Sequence, residues 1–384
     1  MTRARLRPAW AEIDLGALTA NARALRELVA PALLCAVVKA DGYGHGAVAA
    51  ARAALRGGAE WLAVALVEEG VELREAGIGA PILVLSEPSA DAVADALAHD
   101  LRLTVYTPDT VRALQAAVVA GVKGADREGG VPVHLKVDTG MHRVGAGASE
   151  VADVAALVAE RAGLRLEALW THLAVADEPD NPYTAQQLAA FAAARGALER
   201  RGMRPVMLHA ANSAGAILHP GARFDMVRCG ISLYGYAPAA GLVLPEELKL
   251  TPALSLRAEV TMVRRLGAGE RLSYGLRYSL PADAVVATVP LGYADGVSRA
   301  LSARGAEVLI GGRRRRIAGT VTMDQLMVDC GPDADVHVGD EVVLIGSQGD
   351  QTISAEDWAG RLDTISYEVL CGVGPRVDRR YTGC

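Results

Sequence analysis

The chain has 384 residues, of which 51% are hydrophobic and 22% charged, with a formal net charge of −6. That length holds two domains, or one large barrel with an appendage, and excludes a small stapled scaffold. The acidic balance argues against nucleic acid or an anionic membrane as partner, and no apolar run reaches the roughly 20 residues of a spanning helix.

In chain order, the opening MTRARLRPAWAEIDL carries positive charge but meets Glu12 and Asp14 without the apolar stretch of a secretory signal. A soluble, cytoplasmic chain is the expectation. From residue 15 to about 240, short apolar runs alternate with Ala-rich helical stretches, the rhythm of repeated βα units. The predicted strands are Leu33–Val38, Trp61–Leu66, Pro81–Leu85, Leu103–Tyr106, Val133–Val137, Leu166–Trp170, Val206–His209 and a short one near Met226. With intervening helices such as Pro182–Arg200, eight parallel strands predict a (β/α)8 TIM barrel. A doubly wound sheet is the alternative; against it, no G-x-G-x-x-G follows the first strand. Beyond Pro238-Ala-Ala-Gly241 the pattern turns to β-branched alternation and tight turns until a helix at Ser354–Leu362, which predicts a mostly β domain over 243–384 after a barrel over 11–242. The basic run Arg313–Arg316 follows Gly311-Gly312 and reads as a solvated hairpin tip.

Composition singles out individual residues. Cys35, Cys229, Cys330, Cys371 and Cys384 are scattered and odd in number, so neither disulfides nor a metal site is expected. The basic residues comprise 35 Arg and only four Lys. Lys123 and Lys249 lie in polar loops, whereas Lys39 and Lys136 sit in the strand-like runs LLCAVVK and VHLKV. Lysine, unlike arginine, can become a neutral amine there, which suits imine or carbamate chemistry.

Function in a barrel belongs at the C-terminal ends of strands. The first strand delivers Lys39-Ala-Asp-Gly-Tyr43-Gly-His45-Gly, where the glycines permit close backbone approach and Tyr43 offers a hydroxyl to a phosphate. Taken alone, this is equally a snorkelling lysine beside a flexible loop. The fifth strand delivers HLKVDTGMHRVG with Lys136, Asp138 and Arg143, which is equally an ion pair with an exposed arginine. Further on come His172, then Asn212-Ser213 before an Ala-rich segment in the manner of a helix N-terminus, then Arg228-Cys-Gly230-Ile231.

Together, the segments VVKADGYGHG, KVDTGMHRVG, THLAVADE, HAANSAG, DMVRCGISLYG, RLSYG, VPLGYADG, TVTMDQ and ISYEVLCGVGPRV, in this order from Arg7 to Tyr381, resemble the alanine racemase family of pyridoxal phosphate enzymes. The resemblance implies a barrel followed by a β domain, with residues 1–10 packing on the latter. It makes Lys39 the lysine that holds the cofactor as an imine and acts as base on one face of the substrate Cα. Tyr274 becomes the base on the opposite face, since inverting a stereocentre takes a proton from one side and returns one to the other. A free phenol has a pKa near ~10, so His172 and Arg228 are implied as its stabilisers, with Arg228 also meeting the pyridine nitrogen. Tyr43, Asn212, Ser213, Gly230, Ile231 and Tyr367 fall in the phosphate shell. Arg143 and Met323 meet the substrate carboxylate, and Lys136 stands where many members carry a carbamylated lysine, N6-carboxylysine. A homodimer with shared sites, acting on a small amino acid and supplying D-alanine for peptidoglycan, is implied as well. The chain departs from the family pattern at Cys229, Thr322 and Arg277. The rival readings are a broad-specificity racemase on the same fold, against which the expected lack of a secretory signal stands, a decarboxylase on that fold, against which TMDQ and LSYG stand, and a noncatalytic cofactor-carrying barrel, against which the full β domain carrying Tyr274 stands.

Overall fold

The computed structural model describes residues 7–383. Residues 1–6 of the expected N-terminal segment 1–10, and Cys384, lie outside the described residues. The chain forms two compact units, one of Ala17–Gly42 and Ala47–Thr251, the other of residues up to Gly16, Tyr43–Gly46 and Pro252 onward. The sequence-based bounds were 10/11 and 242/243.

Strand β1 (Ala9–Asp14) opens the chain and belongs to the second unit. The first unit is a (β/α)8 barrel of β2 (Leu33–Val37), β3 (Trp61–Val64), β4 (Ile82–Val84), β5 (Arg102–Val105), β6 (Val131–Lys136), β7 (Leu164–Trp170), β8 (Met207–His209) and β9 (Met226–Cys229). They are parallel neighbours in the order β8-β7-β6-β5-β4-β3-β2-β9. The gap between β8 and β9 is closed by single bonds, Asp225 N–H to Leu208 O at 3.0 Å and Arg228 N–H to Ala211 O at 2.9 Å. Strands buried on both faces read as unbroken apolar runs, and WLAV of β3 is buried at every position. Each predicted barrel strand is present within one or two residues. The helix Tyr183–Arg200 starts directly after Pro182.

The second unit is a mixed sheet. Its strands are β10 (Leu254–Glu259), β11 (Met262–Leu266), β12 (Arg271–Leu272), β13 (Tyr278–Ser279), β14 (Ala284–Val289), β15 (Glu307–Ile310), β16 (Arg313–Ile317), β17 (Leu326–Asp329), β18 (Glu341–Gln348), β19 (Gln351–Ile353) and β20 (Asp378–Thr382). The path runs β11-β14-β17-β16-β15-β18-β10-β1-β20, with β19 on β18 and β12-β13 as a separate hairpin. Here one face is solvated, and β10, LSLRAE, alternates buried and half-buried residues. Arg313–Arg316 is not a hairpin tip. Gly311 and Gly312, with φ of 61° and 71°, make the turn, and the four arginines form the returning strand β16. Arg314 pairs with Glu307, Arg315 donates to the Cys330 carbonyl, and Arg316 lies 5.6 Å from the Tyr278 ring centroid.

One ion cluster pins the second unit. Asp295, with no exposed side-chain surface, takes Arg7 Nη1 on Oδ1 at 2.7 Å and Nη2 on Oδ2 at 2.6 Å, and the Gly292 N–H at 3.0 Å. Arg376 reaches its Oδ1 at 3.5 Å and pairs with Asp324 at 2.6 Å.

Candidate active site

In the barrel, Lys39 follows β2 and opens a left-handed turn. Ala40, Asp41 and Gly42 have φ of 52°, 52° and 59°, and Tyr43 continues at 52°. L-residues lose roughly 1–2 kcal/mol each in this conformation, so the turn persists only where its surroundings over-determine it. The Gly42 N–H bonds Val38 O at 2.9 Å, Ala40 N–H bonds Glu69 Oε1 at 2.6 Å, and Asp41 Oδ1 accepts from Ala47 N–H at 2.8 Å. Glu69 also accepts from Ala65 N–H at 2.7 Å, tying the ends of two βα units together. The half-buried Lys39 is thereby held just beyond the barrel strands.

Alternation along β6 puts His134 and Lys136 on one face, both buried. Trp170 at the end of β7 supplies the floor. Lys136 Nζ and Arg228 Cζ each lie 4.6 Å from its ring centroid, and the His209 ring stacks on it at 5.4 Å. Arg228, 3% exposed, donates Nη2 to the carbonyls of Thr171 at 2.8 Å and Ala210 at 3.0 Å, and Nη1 to His209 Nδ1 at 2.8 Å. Its Nη2 also lies 3.3 Å from His172 Nδ1.

Burial and this gathering of cations together shift Lys136 and His172. Burial, then the charges of Arg228 and Arg143, push Lys136 down to about 8, and Asp138 opposes them only in part. Burial followed by Arg228, Arg143, Lys136 and Lys39 holds His172 well below the usual imidazole range. Burial lowers Arg228 to about 10. Asp138 is itself engaged with its own loop. Its Oδ1 accepts from Gly140 N–H at 2.9 Å and His142 N–H at 3.0 Å, shaping the turn that carries the exposed Arg143.

A second group of expected residues meets beside this cluster. Asn212 caps the short helix Ser213–Leu218 by accepting from Gly215 N–H at 2.9 Å, and Ser213 Oγ accepts from Gly230 N–H at 2.9 Å. Ile231 is fully buried in the following turn, whose Tyr234 hydroxyl donates to Val37 O at 3.0 Å. Asn212, Ser213, Gly230 and Ile231 are thus neighbours although up to 19 positions separate them. Gln187, which the sequence did not single out, is fully buried. It accepts from Ala174 N–H at 2.8 Å and donates to His172 O at 3.1 Å and Thr139 Oγ1 at 3.3 Å, lacing the loops after β6 and β7 together.

The second unit carries the remaining expected residues. Tyr43, 7% exposed, and the half-buried Tyr367 have ring centroids 6.1 Å apart. Tyr274 is 74% exposed in a one-turn 3-10 segment. Its carbonyl accepts from Thr320 Oγ1 at 2.9 Å, and Ser273 Oγ donates to Thr320 O at 2.6 Å. The backbone around the exposed Met323 is fixed by Thr322 Oγ1 donating to Gln325 O at 2.8 Å, so the unusual Thr322 closes the turn. A Cβ on Gly292 would meet Met323 O and Thr322 O at 2.3 Å, which makes glycine obligatory there. Cys229 is fully buried, and burial pushes its thiol up to about 12, which makes it inert packing.

Comparison with known proteins covers nearly the whole chain. Residues 13–238 match the family model described as alanine racemase, N-terminal domain, and residues 253–381 the alanine racemase C-terminal domain. The alanine racemase of Symbiobacterium thermophilum is 49% identical over 98% of both chains, and that of Thermobifida fusca 45% over 98% of both. The crystal structure of alanine racemase from E. faecalis superposes with a TM-score of 0.91 at 38% identity, covering all of both chains. The Bacillus anthracis enzyme, solved with bound L-Ala-P, superposes with a TM-score of 0.90 at 36% identity, covering 98% of this chain and 96% of that one. On these grounds, which cover both units, the chain belongs to the alanine racemase family.

Proposed function

We propose that the chain interconverts L- and D-alanine with pyridoxal phosphate as cofactor, in the cytoplasm, and that its product supplies peptidoglycan synthesis. The observation that carries the reading is the convergence of Lys39, Lys136, Arg143 and Arg228, whose charges add to burial in lowering both Lys136 and His172. A site so built gains stability from an anionic occupant, and a phosphate bearing an aromatic ring with its own anionic oxygen fits. Asn212, Ser213, Gly230, Ile231, Tyr43 and Tyr367 would hold the phosphate. Arg228, whose Nη1 and Nη2 already donate inside the barrel, would meet the ring nitrogen with a remaining N–H. When bound, the cofactor supplies the electron-withdrawing ring that acidifies the substrate Cα–H.

The chain's own residues do the rest. Lys39 would hold the cofactor covalently and, as a free amine, would take or return a proton on one face of Cα. Tyr274 serves the opposite face. Arg143 and the Met323 backbone orient the substrate carboxylate, and Lys136, as N6-carboxylysine, orients Arg143 by a charge-assisted hydrogen bond. Tyr274, Leu276, Met323, Tyr293 and Ile365 are all more than 40% exposed in the second unit, an apolar surface suited to a second copy. The functional unit is therefore proposed as a homodimer in which each β-rich unit serves its partner's barrel.

Incubation with L-alanine in deuterium oxide, with pyridoxal phosphate present, tests the reading. D-alanine carrying deuterium at Cα is expected; cofactor binding without Cα exchange would reject it.

A further inference from the structure

Beneath Arg228 the barrel interior holds a polar column that the proposed chemistry does not use. His209 Nε2 lies 3.1 Å from His134 Nδ1, and His134 Nε2 lies 3.0 Å from Glu167 Oε2. Both imidazoles are fully buried, and the Glu167 side chain is 14% exposed. The column thus runs from Glu167 at the middle of β7, through His134 of β6 and His209 of β8, to Arg228 of β9. Other charged groups facing it are Arg102 of β5, whose Nε is 3.5 Å from Glu167 Oε2, and Arg165 of β7, whose Nη2 donates to Glu167 Oε1 at 2.9 Å.

The ends of this column determine where every proton sits. A guanidinium only donates, so His209 Nδ1, receiving Arg228 Nη1, must be the bare nitrogen. Its proton is then on Nε2, which donates to His134 Nδ1, whose own proton is on Nε2 and donates to the carboxylate. One direction of donation runs from Arg228 to Glu167 without a break. We infer that Glu167, through His134, is a positioning residue that fixes the tautomer of His209 and so keeps a lone pair aimed at Arg228. The inference rests on the proposed racemase reading only in its consequence for turnover. Burial lowers both histidines; burial alone would raise Glu167, but the hydrogen bonds from His134 and Arg165 and the charge of Arg102 hold it down at about 2, so the pattern is neutral imidazoles ending on an ionised carboxylate. Trp170, stacked on His209, and Trp61, 5.5 Å from the His134 ring, keep both rings from turning over.

Substituting Glu167→Gln has a calculable outcome. Arg165 donates to Oε1 at 2.9 Å, a closer contact than the 3.5 Å between Arg102 Nε and Oε2, so the amide oxygen is expected to face Arg165, which leaves the amide NH2 facing His134 Nε2. His134 must then carry its proton on Nδ1 and donate to His209 Nε2, which puts the His209 proton on Nδ1 against the Arg228 donor. The guanidinium loses one of its holds. A carboxylate that sets a histidine tautomer can be worth as much as ~10⁴ in rate when the histidine is itself the base; here His134, His209 and Arg228 stand between it and the cofactor, and a fall of about tenfold is expected.

The test uses the full chain with selectively 15N-labelled histidine and pyridoxal phosphate added, read by long-range 1H–15N correlation. The expected wild-type spectrum shows His134 and His209 neutral with the proton on Nε2, and Glu167→Gln moves both protons to Nδ1. A wild-type His209 protonated on Nδ1 or on both nitrogens overturns the inference even if the variant fails to fold. So does a folded Glu167→Gln or Glu167→Leu protein with both tautomers unchanged. In racemisation assays, Glu167→Gln should lower kcat about tenfold at nearly constant KM. Inverted tautomers with unchanged kcat would sever the column from the reaction. Absence of racemisation in wild type would reject the proposed function and leave the tautomer result standing.

Discussion

The barrel and the β-rich unit each set arginine against their interior, and they treat its charge in opposite ways. In the β-rich unit Arg7 and Arg376 converge on Asp295, a carboxylate sealed from solvent. In the barrel Arg228 is surrounded by neutral acceptors, and the carboxylate that answers it stands two imidazoles away. A cluster that neutralises itself holds a fold together; one left positive is shaped around a negative visitor. The contrast separates residues whose loss unfolds the protein from residues whose loss leaves a folded, inactive one.

Lys39→Ala should break the contrast on the barrel side most completely. Racemisation is expected to vanish, together with the imine absorbance of added pyridoxal phosphate, while the melting temperature stays near that of wild type. Tyr274→Phe follows, with a loss of about 10² to 10⁴ in rate, as for removal of a positioned base. Its signature is asymmetric. Deuterium should still wash into D-alanine through Lys39, and exchange from L-alanine should nearly stop; equal residual exchange from both enantiomers would end the two-base assignment. Mixing the Lys39→Ala and Tyr274→Ala chains under subunit exchange should restore activity, and heterodimers without activity would end the shared-site model.

Lys136→Ala is expected to cost about tenfold and to be partly rescued by acetate. With its pKa pushed down to about 8, Lys136 presents an increasing share of neutral amine as pH rises through that value. Its carbamate, read by mass spectrometry under native conditions or by 13C NMR with labelled bicarbonate, should therefore grow from pH ~7 to ~9. A free amine at every pH would remove the modification.

On the other side, Asp295→Asn should leave kcat nearly unchanged but destabilise the fold by about 2 kcal/mol, since an amide group would face the Arg7 donors. Burial alone would raise Asp295; the hydrogen bonds from Arg7 and Gly292 and the charges of Arg7 and Arg376 overcome it, and its pKa is lowered. Its contribution to stability is thus complete above the ordinary carboxylate range near ~4 and is lost as pH falls through the lower folded value. A melting curve whose acid limb is unaffected by the substitution would contradict this.

Much of this was legible in the sequence, for reasons that can be named. Barrel strands buried on both faces stand out as apolar runs between helices, so their positions emerged within a residue or two. Lys39 and Lys136 emerged because arginine fills nearly every other basic position. Strand β1 did not, because AWAEID mixes two acids into a six-residue run and its two neighbours, β10 and β20, lie more than 200 residues away in sequence. Glu69, Gln187 and the His134–Glu167 pair were equally silent. Each works through a hydrogen bond between separate βα units, and no local period or motif announces such a bond. The four arginines of β16 hid their strand by being identical, which erases the alternation that marks a half-solvated strand.

The chain passes between its two units at 16/17, 42/43, 46/47 and 251/252. The middle pair of crossings isolates Tyr43–Gly46, a four-residue inset immediately after the left-handed turn. Within the β-rich unit this inset is stitched in by Arg379 Nε donating to Gly44 O at 3.1 Å, and Gly46 leaves no room for a side chain beside the Tyr381 hydroxyl. Such threading bears on modularity. A gene cut at the apparent junction near 251 would deprive the β-rich fragment of both its first strand and its inset, so neither half is a portable cassette. Recombination that exchanges one half for a relative's must carry along partners for Ala9–Asp14 and Tyr43–Gly46, and chimeras built without that matching should express as insoluble protein even when each parent folds well.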